Sequence, residues 1–223
     1  MESILRTRHS ARKFLDKSVD ESLIREIIAD AQQAPSWCNS QPWKAYVATG
    51  DAAKKIVKMH TDNVINKAKA WAEVVPPQFG ENDWTQAEWK NMRNFWDAAD
   101  VSPDRGNDKL GLQAECNCDF HAPVIVYITI PKVSTMFQAY DAGAFGYGVT
   151  LAAHERGLSC IPAYEFVRYP QEIREVFDIP EEEAIFMGIG MGYADMSVEL
   201  NHLHEDERNH RVPTEEILQI VSE

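Results

Sequence analysis

Pro123-Val124-Ile125-Val126-Tyr127-Ile128-Thr129-Ile130 is a continuous apolar and β-branched run without a charge or a break in pattern. A run of this length and composition reads as a strand buried on both sides. The next apolar stretch carries Ala139, Ala142, Gly143, Gly146, Thr150 and Ala153 at helical spacing, and Gly157 is placed to terminate it. Small side chains let helices approach closely, so this reads as a central helix packed against another, a contact across a dimer included.

Further strands and helices alternate outward from this pair. Leu158 to Pro162 and Ala184 to Met191 read as strands, and Pro170 to Phe177 as a short helix. Upstream, Ser18, Asp20 and Glu21 offer caps before Leu23, Ile24, Ile27, Ile28 and Ala31, one helical stripe stopped by Pro35. A strand over Lys44 to Ala48 ends at Gly50, and Asp51 opens a helix holding Ile56, Val57 and Met59. Pro213 to Val221 reads as a final amphipathic helix, with Glu215 and Glu216 in its first turn where the dipole favours acids. Interleaved elements of this kind make an α/β or α+β sandwich in one domain over 1–223. One stretch differs: Trp71, Phe79, Trp84, Trp89, Phe95 and Trp96 crowd an excursion at about 60–118 with a helix near Thr85 to Ala98. Those aromatics serve as a local mini-core, as a substrate cover, or as both.

Composition narrows the function. The 223 residues carry a formal charge of -13, which excludes the clustered cations a nucleic-acid binder needs and disfavours an anionic membrane as partner. A few local Arg residues still suffice to reverse that field in a cleft. Cys38, Cys116, Cys118 and Cys160 lack both a disulfide framework and zinc-ligand spacing, so four reduced thiols and no metal are expected. Met1 to Arg12 has no apolar run suited to export, and Phe137 to Ala153 is too short and too polar to span a bilayer. The expected setting is a reducing cytoplasm.

Two segments carry chemistry. In Arg8-His9-Ser10-x-Arg12, guanidinium forks and a hydroxyl within five positions are suited to surround a phosphate, although such a string also occurs as a solvated basic terminus. Pro35-Ser36-Trp37-Cys38-Asn39-Ser40-Gln41-Pro42-Trp43 combines an extended, proline-bounded loop with donors, acceptors and two indoles. It suits a flat heteroaromatic ligand with polar edges, and equally a turn between helix and strand with Trp43 in the core.

In order and spacing these segments resemble the nitroreductase family of flavoproteins. The likeness continues through Ala122-Pro123, Asp141-Ala142-Gly143, the helix end at Ala152 to Leu158, Pro162, Gly188 to Asp195 and Arg211-Val212-Pro213, and covers nearly the whole chain outside 60–115. Gly192-Tyr193-Ala194-Asp195 followed by Leu200-Asn201 is most similar to the branch containing nitrobenzoate reductases. The resemblance implies an α+β, three-layer α/β/α sandwich with a mixed sheet, an intertwined homodimer, and an FMN site shared between the subunits. By that likeness Arg8, Ser10 and Arg211 hold the phosphate, with Asn209 close by, and His9 packs beside ribityl and ring. Arg12 lies near N1 and O2, where reduction deposits negative charge. Pro35, Ser36, Trp37 and Asn39 come from the second subunit along ring and ribityl. Pro162, Ala163 and Tyr164, with Glu165, face the ring. This last loop departs from members that carry Glu-Gly there, which leaves open the backbone N–H that meets N5.

The activity so implied is two-electron transfer from NAD(P)H to a small nitroaromatic acceptor by a ping-pong mechanism, with no side-chain acid required. The alternatives on the same fold are a quinone, flavin or ene reductase, a reductive dehalogenase, or a flavin-binding protein without turnover. Other motifs are weaker. His202-x-His204 with Glu205 reads as a solvated tail, and Gly188-x-Gly190-x-Gly192 as a strand end requiring close approach rather than a dinucleotide turn. His154 with Glu155 has no nucleophile near it.

Overall fold

Val124–Pro131 (β2) lies between two cores, and that position explains its unbroken apolar sequence. Val124, Val126, Ile128 and Ile130 face one side with Ile27, Phe145, Val149 and Leu158. Ile125 and Tyr127 face the other with Ile56, Phe166, Ile173 and Ile185. The computed structural model describes residues 3–75, 86–87, 90–91, 119–198, 201–205 and 211–222.

In chain order, Ile4–Thr7 (α1), Glu21–Ala31 (α2), Lys44–Thr49 (β1) and Gly50–Ile65 (α3) precede β2. Met136–Glu155 (α4), Ser159–Ala163 (β3), Pro170–Arg174 (α5), Glu183–Gly192 (β4) and Thr214–Ile217 (α6) follow it. The sheet order is β1-β2-β4-β3. α2 and α4 cover one face and α3 and α5 the other, giving an α+β sandwich of three layers. The expected mixed sheet takes a narrower form. Among the described residues all four strands pair antiparallel, and the parallel component is one bridge, Ser10 to Cys160. No helix among the described residues is long and apolar enough to cross a membrane.

α4 starts at a capping box in which Phe137 N–H donates to Thr135 Oγ1 (3.3 Å) and Thr135 N–H to Gln138 Oε1 (2.8 Å). It stops where Gly157 turns left-handed (φ 74°) and Leu158 N–H returns to the Ala153 carbonyl. Of its small-residue face, Ala142, Gly146, Thr150 and Ala153 are buried inward, whereas Gly143 is exposed. A Cβ at Gly146 would meet Ile128 Cδ1 at 3.0 Å, and one at Gly148 would meet the Ala31 backbone of α2 at 3.2 Å. The face left outside is aromatic, with Phe137 57% and Tyr140 73% exposed beside Met136 and Tyr147.

Gly188 and Gly190 of β4 are explained by Phe166, whose side chain lies across the strand, and Gly192 by the ring of Pro123. A Cβ on Gly188 would collide with the Phe166 Cβ, and one on Gly190 would lie 2.5 Å from Phe166 Cζ. Gly190→Ala is therefore expected to cost about 1–3 kcal/mol through overpacking, read as a lower urea midpoint. An unchanged midpoint would mean that the ring has room to move.

The terminal helix is shorter than its periodicity predicts. It makes one turn, Thr214–Ile217, and the chain is extended again at Leu218. A single turn is unstable without a packing partner, and Ile217, Leu218, Ile220 and Val221 are all exposed. The helix expected near Thr85 to Ala98 lies largely outside the described residues, as do Asn209, Cys116 and Cys118.

Candidate functional site

α1 ends at Arg8, where the backbone becomes extended. The chain then runs beside β3, with Ser10 bridged to Cys160 and Ala11 N–H donating to the Cys160 carbonyl (3.2 Å). This lays Arg8, His9, Ser10 and Arg12 along the same edge as Pro162 and Ala163, the end of β3, and Tyr164, the start of the turn Tyr164–Val167. Cys160 between them is buried, and burial pushes its thiol up to about 12, so it is no nucleophile.

Two polar atoms of the basic cluster are buried and lack a partner: Arg8 Nε and His9 Nε2. The Arg8 guanidinium stands 5.9 Å from the ring centroid of Tyr147 on α4. His9 Nδ1 donates to the Thr7 carbonyl (3.2 Å), because a carbonyl can only accept. Burial lowers the His9 pKa, and the nearby His204, His154 and Arg8 lower it further against the Thr7 carbonyl. Arg12 Nη1 donates to the Ser10 carbonyl (3.1 Å). A half-buried arginine whose Nε has no partner, a serine hydroxyl, and an imidazole that becomes a donor at Nε2 on taking up a proton form a set suited to a phosphoryl group.

The second segment is held elsewhere. Cys38 (φ 51°), Asn39 (φ 55°) and Gln41 (φ 44°) are left-handed, a conformation that non-glycine residues keep only under constraint. The constraints are visible: Gln41 N–H donates to Ser36 Oγ (3.0 Å) and Gln41 Nε2 to Asn39 Oδ1 (3.2 Å). Trp37 N–H donates to Oδ2 of the buried Asp141 on α4 (3.0 Å). Trp43 is core, stacked on Phe145 at 5.1 Å, whereas Trp37 is exposed against Phe137 at 4.8 Å. Pro35, Ser36 and Trp37 line a cleft of about 500 Å³ with Met136, Phe137, Tyr140 and Asp141. Asp141→Ala would orphan the Trp37 N–H and is expected to cost about 2 kcal/mol. Faster hydrogen exchange at the Trp37 amide is its signature, and an unchanged rate would show that the loop holds itself.

One protomer keeps these two groups apart. The basic cluster meets the later half of α4, with Arg8 over Tyr147 and Thr7 Oγ1 3.0 Å from His154 Nε2, while the loop is tied to Asp141 near the beginning. At 1.5 Å per residue, Asp141 and His154 are separated by about 20 Å along the helix. Arg211 is exposed, and among the described residues no hydrogen bond or ion pair joins it to Arg8 or Ser10.

Three features escaped the reading of the sequence. Asn201 is buried and takes Arg12 N–H (2.6 Å) and Lys13 N–H on Oδ1, while Nδ2 donates to the Lys13 and Asp195 carbonyls. His204, expected in a solvated tail, stacks on His9 with centroids 3.8 Å apart and planes 7° from parallel. Glu73 clamps the base of the excursion to the sheet, accepting from Arg174 Nε (2.7 Å) and Nη2 (3.0 Å) and from Ile185 N–H (2.7 Å). With Trp71 N–H donating to the Arg168 carbonyl and Tyr169 Oη to the Ala68 carbonyl, residues 68–73 lie beside the turn that starts at Tyr164. Among the described residues no group of three His, Cys, Asp or Glu is placed to hold a metal.

Known proteins are similar to this chain in sequence and in fold. The chain is 28% identical to a 4-nitrobenzoate reductase of Pseudomonas putida over 91% of its own length and 88% of the relative's. It is 29% identical to a 4-nitrobenzoate reductase of a Nocardioides species, over 87% and 80% of the two chains. In fold it is similar to the FMN-dependent nitroreductase NfnB from Mycobacterium smegmatis, solved in complex with NADPH, with a TM-score of 0.89 at 21% identity over 98% and 96% of the chains. The sequence model of the nitroreductase family matches residues 5–193, from the helix before the basic cluster to the end of β4, and the chain belongs to that family.

Proposed function

We propose that the protein is an FMN-dependent oxidoreductase that takes two electrons from NAD(P)H and passes them to small nitroaromatic acceptors, with two cofactor sites between the subunits of a homodimer. The observation that carries this reading is the pair of buried, unpartnered nitrogens, Arg8 Nε and His9 Nε2, beside Ser10. A phosphate ester is the ligand that would satisfy Arg8 Nε directly and His9 Nε2 once that nitrogen carries a proton, and its negative charge favours both cations. Arg8 and Ser10 would grip the phosphate, joined by Arg211 when the C-terminal segment is seated. His9 would pack at the ribityl, and Arg12 would supply fixed positive charge toward the pyrimidine edge of the ring. Pro162, Ala163 and Tyr164 would line one ring face. The chemistry FMN supplies when bound is two-electron transfer, with NAD(P)H and the acceptor using the same pocket alternately in a ping-pong order.

The separation along α4 supports the dimer. Pro35, Ser36, Trp37 and Asn39 are tied to α4 at Asp141, about 9 Å along the helix from Tyr147 where Arg8 meets it and about 20 Å from His154 where Thr7 does. A second copy related by a two-fold axis, its α4 antiparallel, would bring its loop there. The exposed aromatics of α4 and the apolar C-terminal tail are the surface such a partner would cover. The anchored residues 68–73 would start the excursion at the rim of the pocket, within the same 1–223 domain, and leave its length to shape acceptor choice. Relatives named 4-nitrobenzoate reductase and nitrobenzene nitroreductase, the latter from Ectopseudomonas oleovorans, support a nitroarene as acceptor. Free cysteines and the acidic surface suit the cytoplasm.

Purified protein should be yellow or become so with FMN, bleach with NADPH under anaerobic conditions, recover on adding nitrobenzoate, and sediment as a dimer. Protein that stays colourless and takes up no FMN would end the proposal. Faster turnover of quinones or halophenols than of nitrobenzoate would move the activity to another reductase on this fold.

A further inference from the structure

His204 lies outside every motif that the function absorbs, yet it makes the closest ring contact of the basic cluster. Its Nδ1 donates to the Asn201 carbonyl (3.1 Å), and Asn201 is locked to the backbone of Lys13 through two hydrogen bonds. Its Nε2 is 3.8 Å from Glu205 Oε1, beyond hydrogen-bond reach. His9 is fixed in the same manner, Nδ1 to the Thr7 carbonyl, with its ring parallel to that of His204. Nδ1 of each ring is therefore a donor, and His9 Nε2, buried and without a partner, is the atom left to meet a ligand.

From this geometry we infer that His204 is a positioning residue for the anionic end of the cofactor: its ring clamps His9 face to face so that His9 Nε2 receives a proton as a phosphate ester enters. The inference rests on the FMN reading of the site. The charged and titratable groups around His9, among the described residues, are Arg8 on its own segment, His154 on α4, and His204 and Glu205 on the turn Leu203–Glu205. Burial, then His204, His154 and Arg8, oppose a proton on His9, and the Glu205 carboxylate and the Thr7 carbonyl favour one. A dianionic phosphate tips that balance toward a proton on His9 Nε2. FMN binding should therefore take up a proton near neutral pH and tighten as the pH falls from 8 to 6. Riboflavin, which has the same ring without the phosphate, should do neither.

The test compares wild type, His204→Ala and His204→Phe by fluorescence titration with FMN and with riboflavin at pH 6, 7 and 8. Proton uptake is read by calorimetry in two buffers of different ionisation enthalpy. Wild type is expected to show both effects. His204→Ala frees the His9 ring and should weaken FMN about tenfold at pH 6, the scale of one charge-assisted hydrogen bond, with little change for riboflavin. His204→Phe keeps a flat face against His9 and should restore most of the affinity. Equal FMN affinity and pH slope in wild type and His204→Ala would overturn the inference, and so would equal weakening of FMN and riboflavin. Wild type that binds no FMN would overturn the functional proposal, whereas wild type that binds it without proton uptake would overturn this inference alone.

Discussion

An Arg8→Ala chain is expected to bind FMN about a hundredfold more weakly than wild type while its apoprotein melts at the same temperature. The two halves of this result have separate causes. A guanidinium on a phosphate makes charge-assisted, forked hydrogen bonds, each worth about 1.5–3 kcal/mol, and every 1.4 kcal/mol is tenfold in affinity. Without ligand, Arg8 Nε has no partner to lose, and its clearest described contact is the 5.9 Å approach to Tyr147. Removing a buried, unpaired polar atom relieves a cost that balances the lost packing. The stabilisation that FMN confers on wild type should shrink in proportion, since a ligand stabilises by the logarithm of its concentration over Kd. Arg8→Lys retains the charge without the fork and should fall between the two. Fluorescence titration and melting with and without FMN read every part of this. A variant that binds FMN as tightly as wild type would place the phosphate seat away from Arg8.

What the sequence could reveal about this site depends on how far apart the interacting residues are in the chain. β2 was legible because burial on both faces is written into every one of its residues, and the end of α4 because Gly157 supplies the left-handed turn locally. The basic cluster and the proline-bounded loop were legible as motifs, since each is contiguous. Their separation along α4 was not, because it depends on Asp141 and His154, more than a hundred residues from the groups they hold. The direction of the small-residue face is likewise set by Ile128 and Ala31, which the local pattern does not contain. His204 read as a solvated tail because its sequence neighbours are acidic, while its partner in space is at the other end of the chain. The terminal helix failed for the complementary reason: its periodicity is real, but within one protomer its apolar side meets nothing, and an isolated turn does not propagate.

Glu73 provides the largest expected effect on stability, and its sign with pH follows from its partners. Burial alone would raise its carboxyl pKa, but the Arg174 fork and the Ile185 N–H outweigh burial and hold it below the ordinary carboxylate range. A group depressed in the folded state stabilises the protein above its unfolded pKa, about 4.3 for a glutamate. That contribution is lost as the pH falls through the folded value. Glu73→Ala breaks an ion pair whose side chains are only 9% and 18% exposed and orphans a strand N–H. Arg174 keeps the carbonyls of Ile179, Pro180 and Glu183, so the cost falls at the lower end for a buried pair, about 3 kcal/mol. In a chain of this size that corresponds to about 8 °C in Tm at pH 7. The gap from wild type should narrow steadily below pH 5, where wild type begins to lose the same contribution by protonation. Glu73→Gln keeps acceptors for Arg174 and Ile185 but no charge, and should show a smaller loss with a flatter acid limb. Because the clamp fixes the start of the excursion beside Tyr164, Glu73→Ala should also raise KM for the acceptor more than it weakens FMN. Melting curves that coincide with wild type from pH 7 to pH 4 would mean that residues 68–73 are held by Trp71 and Tyr169 alone, and that segment would then owe its footing to bonds with backbone carbonyls rather than to a buried charge.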